Sequence, residues 1–135
     1  MPTLTKIDSF VENLAKGLIN LNGTLEVALT NTAHTATWDE LADLTLCANH
    51  ANTSTKVITV TSCLQTTGTL KLVLADLVIT ATGACGPFQY VYVFDQVSTG
   101  DKLVGYYNHG SAVTMALNDT FTIDFDAGTG ALTIA

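Results

Sequence analysis

The sequence predicts a mainly β, single-domain protein, a β-sandwich or β-barrel of jelly-roll type with one N-terminal helix. Three observations predict it. Apolar residues recur at helical spacing only near the N-terminus, and from Thr24 onward the period changes to two. Turn-forming residues then interrupt the chain at the short intervals expected of a sandwich. Hydrophobic residues make up 47 % of the 135 residues and charged residues 13 %, with 23 threonines that suit pleated, half-exposed strands. Such a composition excludes disorder, and the length suffices for one core. No repeat, linker or low-complexity segment divides the chain, so residues 1–135 read as one domain.

Residues 1–8 read as an N-terminal arm and residues 9–21 as the helix. Ser9-Phe10-Val11-Glu12 has the reciprocal capping pattern, in which a hydroxyl and a carboxylate each satisfy an orphan amide. Phe10, Leu14, Leu18 and Leu21 fall on one face, and Asn22-Gly23 supplies the stop. Residues 24–135 then read as strands. Leu25, Val27 and Leu29 alternate with Glu26 and Ala28. Thr30 to Thr37 is turn-rich, Trp38 to Leu46 fits a helical turn or a short strand, and Cys47 to Thr55 reads as a loop. Lys56 to Leu64, Leu70 to Leu74 and Leu77 to Thr82 are strand-like. Phe88, Tyr90, Tyr92 and Phe94 form an aromatic ladder on a run apolar on both faces, which places it mid-sheet. Leu103 to Tyr107 follows. Ala112 to Ala116 and Thr120 to Phe125 read as a hairpin around Asn118-Asp119, and Ala131 to Ile134 as a last short strand.

Charge narrows the partners. The net charge is −7, with five scattered lysines and no arginine. Nucleic-acid binding depends on clustered cations against phosphate, so the sequence predicts none, and anionic membranes are disfavoured for the same reason. Met1 to Leu21 carries Asp8 and Glu12 and lacks a continuous apolar core, so it does not read as a signal peptide. Leu70 to Ile79 is too short and too interrupted to cross a bilayer. Cys47, Cys63 and Cys85 lack paired spacing and read as buried free thiols.

Reactive constellations are weak, and the expectation is a non-enzymatic protein without cofactor or metal. His109-Gly110-Ser111 sets a base near a hydroxyl, but without a nucleophile elbow it reads as a turn. His34, His50 and His109 lack ligand spacing. Asp119, Asp124 and Asp126 could offer hard oxygens to calcium, yet the alternating loop of a dedicated site is missing. Paired carboxylates for glycoside hydrolysis are not marked out either. The aromatic ladder reads as core rather than as the floor of a sugar groove. Tyr106 and Tyr107, adjacent and so opposite-facing, leave one ring exposed for an interface.

The segments Leu70 to Asp76, Gly86-Pro87-Phe88-Gln89-Tyr90 and Leu103-Val104-Gly105-Tyr106-Tyr107 resemble a group of small structural proteins of tailed bacteriophages. The ending from Leu117 to Asp126 with Gly130-Ala131-Leu132, and the openings Phe10 to Ala15 and Leu29 to Ala33, resemble the same group. Where that group carries a glycine-rich segment, this chain has Ala48 to Lys56. The resemblance covers nearly the whole chain and implies a virion protein of the capsid exterior. It would decorate or cement the head by binding the major capsid protein, as a homotrimer on a threefold or quasi-threefold site. The expected contact residues are Pro2, Thr3, Leu4 and Thr5, in an N-terminal segment read as an arm that orders on the capsid, with Tyr106 and Tyr107 from the strand. A tail or baseplate component, or a carbohydrate-binding module for host attachment, is the alternative reading.

Overall fold

A computed structural model describes residues 3–135. In chain order the elements are β1 (Thr5–Lys6), α1 (Phe10–Ala15), β2 (Leu25–Thr30), a 3-10 turn (Leu41–Asp43), β3 (Val57–Ile58), β4 (Val60–Thr66), β5 (Thr69–Leu74), β6 (Leu77–Thr80), β7 (Cys85–Asp95), β8 (Leu103–Met115), β9 (Thr120–Ile123) and β10 (Leu132–Ile134). The fold is mainly β and sandwich-like. A five-stranded sheet in the order β1-β8-β7-β2-β3 faces smaller sheets, β10-β5-β4 and β6-β9, and every pairing is antiparallel. One core joins them, built from the inward residues of β2, β5 to β9 and β10. Phe88 of β7 meets Phe121 of β9 edge-on at 5.1 Å, and Tyr107 of β8 packs on Phe125 at 5.9 Å. These contacts stitch the large sheet to the strands opposite it.

The helix is shorter than the sequence predicts. It ends at Ala15, because Gly17 adopts φ +74° and closes a Schellman motif. The Leu18 N–H donates to Asn13 O at 2.9 Å and the Gly17 N–H to Leu14 O at 3.1 Å. The turn at Gly17 breaks the expected stripe. Phe10 remains buried, Leu18 swings out to solvent, and Ile19 and Leu21 enter the core. The expected capping box does not form either. The Ser9 hydroxyl donates to Asp39 Oδ1 at 2.6 Å, and Glu12 pairs with Lys16.

Two strand pairings also differ from expectation. Ala112 to Met115 is the end of β8, which runs on from Leu103 and stays paired with β7 through several register shifts. β9 therefore pairs with β6 (Leu77↔Ile123, Ile79↔Phe121) instead of closing a local hairpin. The choice buries four apolar side chains together, which a solvent-facing hairpin would not do. In β2 Leu25, Val27 and Leu29 are buried on one face and Ala28 and Thr30 on the other, the face that Tyr92 shares and that the loop carrying His34 and Trp38 covers. The aromatic ladder of β7 splits at a register break between Phe88 and Tyr90. Phe88 packs on β9, whereas Tyr90 and Tyr92 join Tyr106.

Asp39 ties the N-terminal region to β8. Its carboxylate accepts from Ser9 Oγ, from Asn13 Nδ2 and from Lys102 Nζ. Hydrogen bonding from Lys102 and then from Ser9 holds its pKa at about 2, below the usual 3.8. A folded-state pKa below the unfolded one means stability that is complete above pH 3.8 and lost as pH falls through 2. Asp39→Ala leaves the buried Asn13 amide and the Lys102 ammonium without this partner. Because the carboxylate is one-third exposed, solvent screening keeps the expected loss to about 2 kcal/mol. Urea unfolding at pH 7 and pH 2.5 checks both parts: the variant should be weaker at pH 7, and the gap should narrow in acid.

Candidate functional interface

Of the residues singled out as contacts, Pro2 lies outside the described residues. The others converge on one edge of the five-stranded sheet. Thr5 sits directly opposite Tyr106, and Lys6 opposite Gly105. β1 is two residues long because it is anchored from one end: Ile7 is buried and its N–H donates to Val104 O at 3.2 Å. The segment expected as an N-terminal arm pairs with β8 at Thr5 and Lys6 as the end strand of the sheet.

Gly105 makes this docking possible. A Cβ at that position would lie 2.6 Å from Thr5 O and 3.1 Å from Leu4 Cγ. Gly105→Ala is expected to displace β1 while leaving the β7–β8 pairing intact. Limited proteolysis should then cut within residues 3–6 at least tenfold faster than in the parent chain, with global unfolding shifted by about 1 kcal/mol. Unchanged proteolysis would show that the strand is not held at this point.

Beside β1 runs a groove of about 290 Å³, lined by Thr3, Leu4 and Lys6 on one side and by Thr129 to Thr133 on the other. β1 ends the five-stranded sheet and β10 ends the three-stranded one, so two end strands flank the groove. A smaller hollow of about 90 Å³ adjoins it, reaching Tyr107, Asp124 and Asp126. The groove mixes backbone edges, threonines, Leu4 and Lys6, with the two carboxylates confined to the adjoining hollow, and is suited to holding an extended peptide segment.

The two tyrosines face opposite ways, as expected of neighbours on a strand, but neither ring is fully exposed. Tyr107 is buried at 3 % exposure against Phe125, and its hydroxyl is pushed up to about 12 by burial and by Asp124. Tyr106 is half-buried. It stacks on Tyr92 at 5.2 Å and on His34 at 4.9 Å, because the loop carrying His34 and Trp38 folds over this face of the sheet. Its ring is engaged with other rings and not presented to a sugar. His34 Nδ1 bonds the Tyr92 hydroxyl at 3.0 Å, and Nε2 faces Asp8 Oδ1 at 3.6 Å.

Other residues weighed in the sequence are dispersed. Exposed His109 and Ser111 lie on the outer stretch of β8, where the His109 ring meets Phe121, and no hydrogen bond joins the two among the described residues. Asp126 accepts from the amides of Gly128 and Thr129 and from the Thr129 hydroxyl, and Asp119 from the Ala116 amide. No group of three or more His, Cys, Asp or Glu is placed to hold a metal among the described residues. No helix among them is long and apolar enough to cross a membrane.

Sequence reasoning missed two features. His50, within a stretch read as plain loop, caps the outer edge of β2, its Nε2 accepting the Leu29 N–H at 3.1 Å. Cys47 and Cys85, 38 residues apart, bring their sulfurs within 3.7 Å. Neither carries a spacing signal, since both arise from long-range pairing. Comparison with known proteins gives no significant match to a family model, a curated protein or a solved structure.

Proposed function

We propose that this chain is a structural protein of a tailed-phage virion that decorates or cements the head by binding the major capsid protein lattice. The observation that carries this reading is the groove flanked by end strands β1 and β10, where Thr3 and Leu4 lie. An extended segment of a capsid subunit could add there as a strand, with main-chain hydrogen bonds giving affinity and Leu4 a hydrophobic contact. The charge-poor surface and the resemblance to small virion proteins support the same reading. Large apolar side chains also remain in solvent, Leu64 at 69 % and Val97 at 73 % exposure among them.

The mechanism is mass action. A rigid β-domain that binds only the assembled, expanded shell stabilises it by about 4 kcal/mol per site at a thousandfold excess over the dissociation constant. A homotrimer on a threefold or quasi-threefold position would multiply the contacts. The test is co-sedimentation of the purified protein with expanded capsids that lack it, together with quantitative electrophoresis of virions. Saturable binding at hundreds of copies per particle, weakened at least tenfold by Leu4→Asp, is expected. Absence from virions overturns the proposal. A handful of copies per particle, without capsid binding, replaces it with a tail or baseplate role.

A further inference from the structure

We infer that Cys47 and Cys85 form an internal disulfide staple when the chain folds in the presence of a small-molecule disulfide, and that the redox state set at folding then persists. The inference stands on geometry and is independent of the virion reading. The two sulfurs are 3.7 Å apart in the core. Their backbones run side by side, with the Gly86 N–H donating to Ala48 O at 3.0 Å. Each strand of chain is separately held. The Cys47 N–H donates to Leu29 O at 2.9 Å, and Cys85 opposes Met115 at the start of β7. A shift of the sulfurs toward each other therefore needs side-chain rotation and no rearrangement of the sheets.

The chemistry balances as two exchanges. One cysteine thiolate attacks the small-molecule disulfide, forming a mixed disulfide and releasing one thiolate, which takes up the proton lost by the cysteine. The second cysteine, after losing its own proton, displaces the remaining small thiol and closes the Cys47–Cys85 bond. The two cysteines are oxidised and one small disulfide is reduced to two thiols. In the folded protein Cys47 and Cys85 are buried, at 8 % and 1 % exposure. Burial, and then the neighbouring Cys85, push the Cys47 thiol up to about 12, so very little attacking thiolate exists at neutral pH. Exchange is fast while the chain is open and slow once it has closed. The staple would enclose β3 of the large sheet and β4, β5 and β6, three of the five strands facing it. Closing that loop restricts the unfolded chain and raises thermal stability.

The experiment uses the full chain with Cys63→Ser, which removes the half-buried third thiol. Refolding from denaturant with a mixture of oxidised and reduced glutathione should give a product lighter by two hydrogens, whose peptide map joins Cys47 to Cys85. Its Tm should exceed that of the reduced protein by roughly 10 °C. Adding the same mixture to the folded, reduced protein at pH 7 should give the staple at least tenfold more slowly. Cys47→Ala with Cys85→Ala should show no redox-dependent shift in Tm. A product that carries only glutathione adducts, or a staple that leaves Tm unchanged or lower, overturns the inference. Equal rates in the folded and refolding chains overturn its second half.

Discussion

Tyr92→Ala is expected to lower the stability of the fold by about 3–5 kcal/mol, the usual range for removing a fully buried aromatic ring. Tyr92 is at 0 % exposure in the middle of the central hairpin, opposite Ala28 on one side and Tyr106 on the other. Its ring stacks on Tyr106 and lies 6.0 Å from Trp38, and its hydroxyl meets His34. The cavity left behind would be walled by Tyr106, His34 and Trp38 above a strand that is paired on both edges. Burial, with the nearby Tyr106 and Tyr90, raises the phenol's pKa, so the hydroxyl stays neutral throughout the accessible range. Tyr92→Phe separates the two contributions. It keeps the ring and removes only the hydroxyl that His34 Nδ1 contacts, for about 1 kcal/mol. Urea denaturation of the two variants checks this, and a loss under about 1 kcal/mol for the alanine variant would place the ring outside the core. Because Tyr106 lies opposite Thr5, Tyr92→Ala should also loosen β1 and the groove beside it.

The second large effect is a loss of stability in mild acid governed by His50. Burial, helped by the positive charge of Lys56, holds its pKa at about 4, against 6.5 for the free side chain. The geometry explains why: Nε2 must remain an acceptor for the Leu29 N–H, and protonation would set two donors against each other. Leu29 belongs to β2, which pairs with β3 only at Leu25 and Glu26, so at Leu29 the loop stands in for a neighbouring strand. With the folded-state pKa below the unfolded one, the contribution is complete above pH 6.5. It falls away as pH drops toward 4, because the unfolded chain takes up the proton first. The expected loss across that window is about 2–3 kcal/mol. His50→Gln keeps an acceptor and removes the titration, so its stability should be nearly flat between pH 6.5 and 4. If parent and variant show the same slope there, His50 is not the group responsible. The Asp39 contribution is lost at lower pH, below 3.8, which keeps the two effects apart.

The candidate interface was partly legible before the fold. Alternation, one residue in and the next out, marks β5 and β9 and their buried faces, and a run apolar on both faces marks β7; all three strands lie where those patterns put them. The N-terminal residues and the tyrosine pair were singled out separately, yet their meeting as Thr5 opposite Tyr106 depends on strand register across a hundred residues. The edge strand β1 is too short for any periodicity to show. Its cause lies elsewhere, in the missing Cβ of Gly105 and the burial of Ile7.

By itself the sequence determined the β class, the single helix at the N-terminus, the apolar faces of the strands and the scarcity of surface charge. These follow from short-range periodicity and composition, which act on each segment independently of its partners. Tertiary structure decided which strands pair. β9 joins β6 and not the end of β8, because burying Phe121 and Ile123 against Leu77 and Ile79 outweighs the nearer hairpin. It also decided that Ser9 bonds Asp39, that Gly17 ends the helix, that His50 closes the edge of β2 and that two cysteines touch. Each of these joins residues far apart in the chain or depends on one backbone angle that its surroundings select. A local pattern carries no record of contacts whose free energy is realised only when the sheets come together.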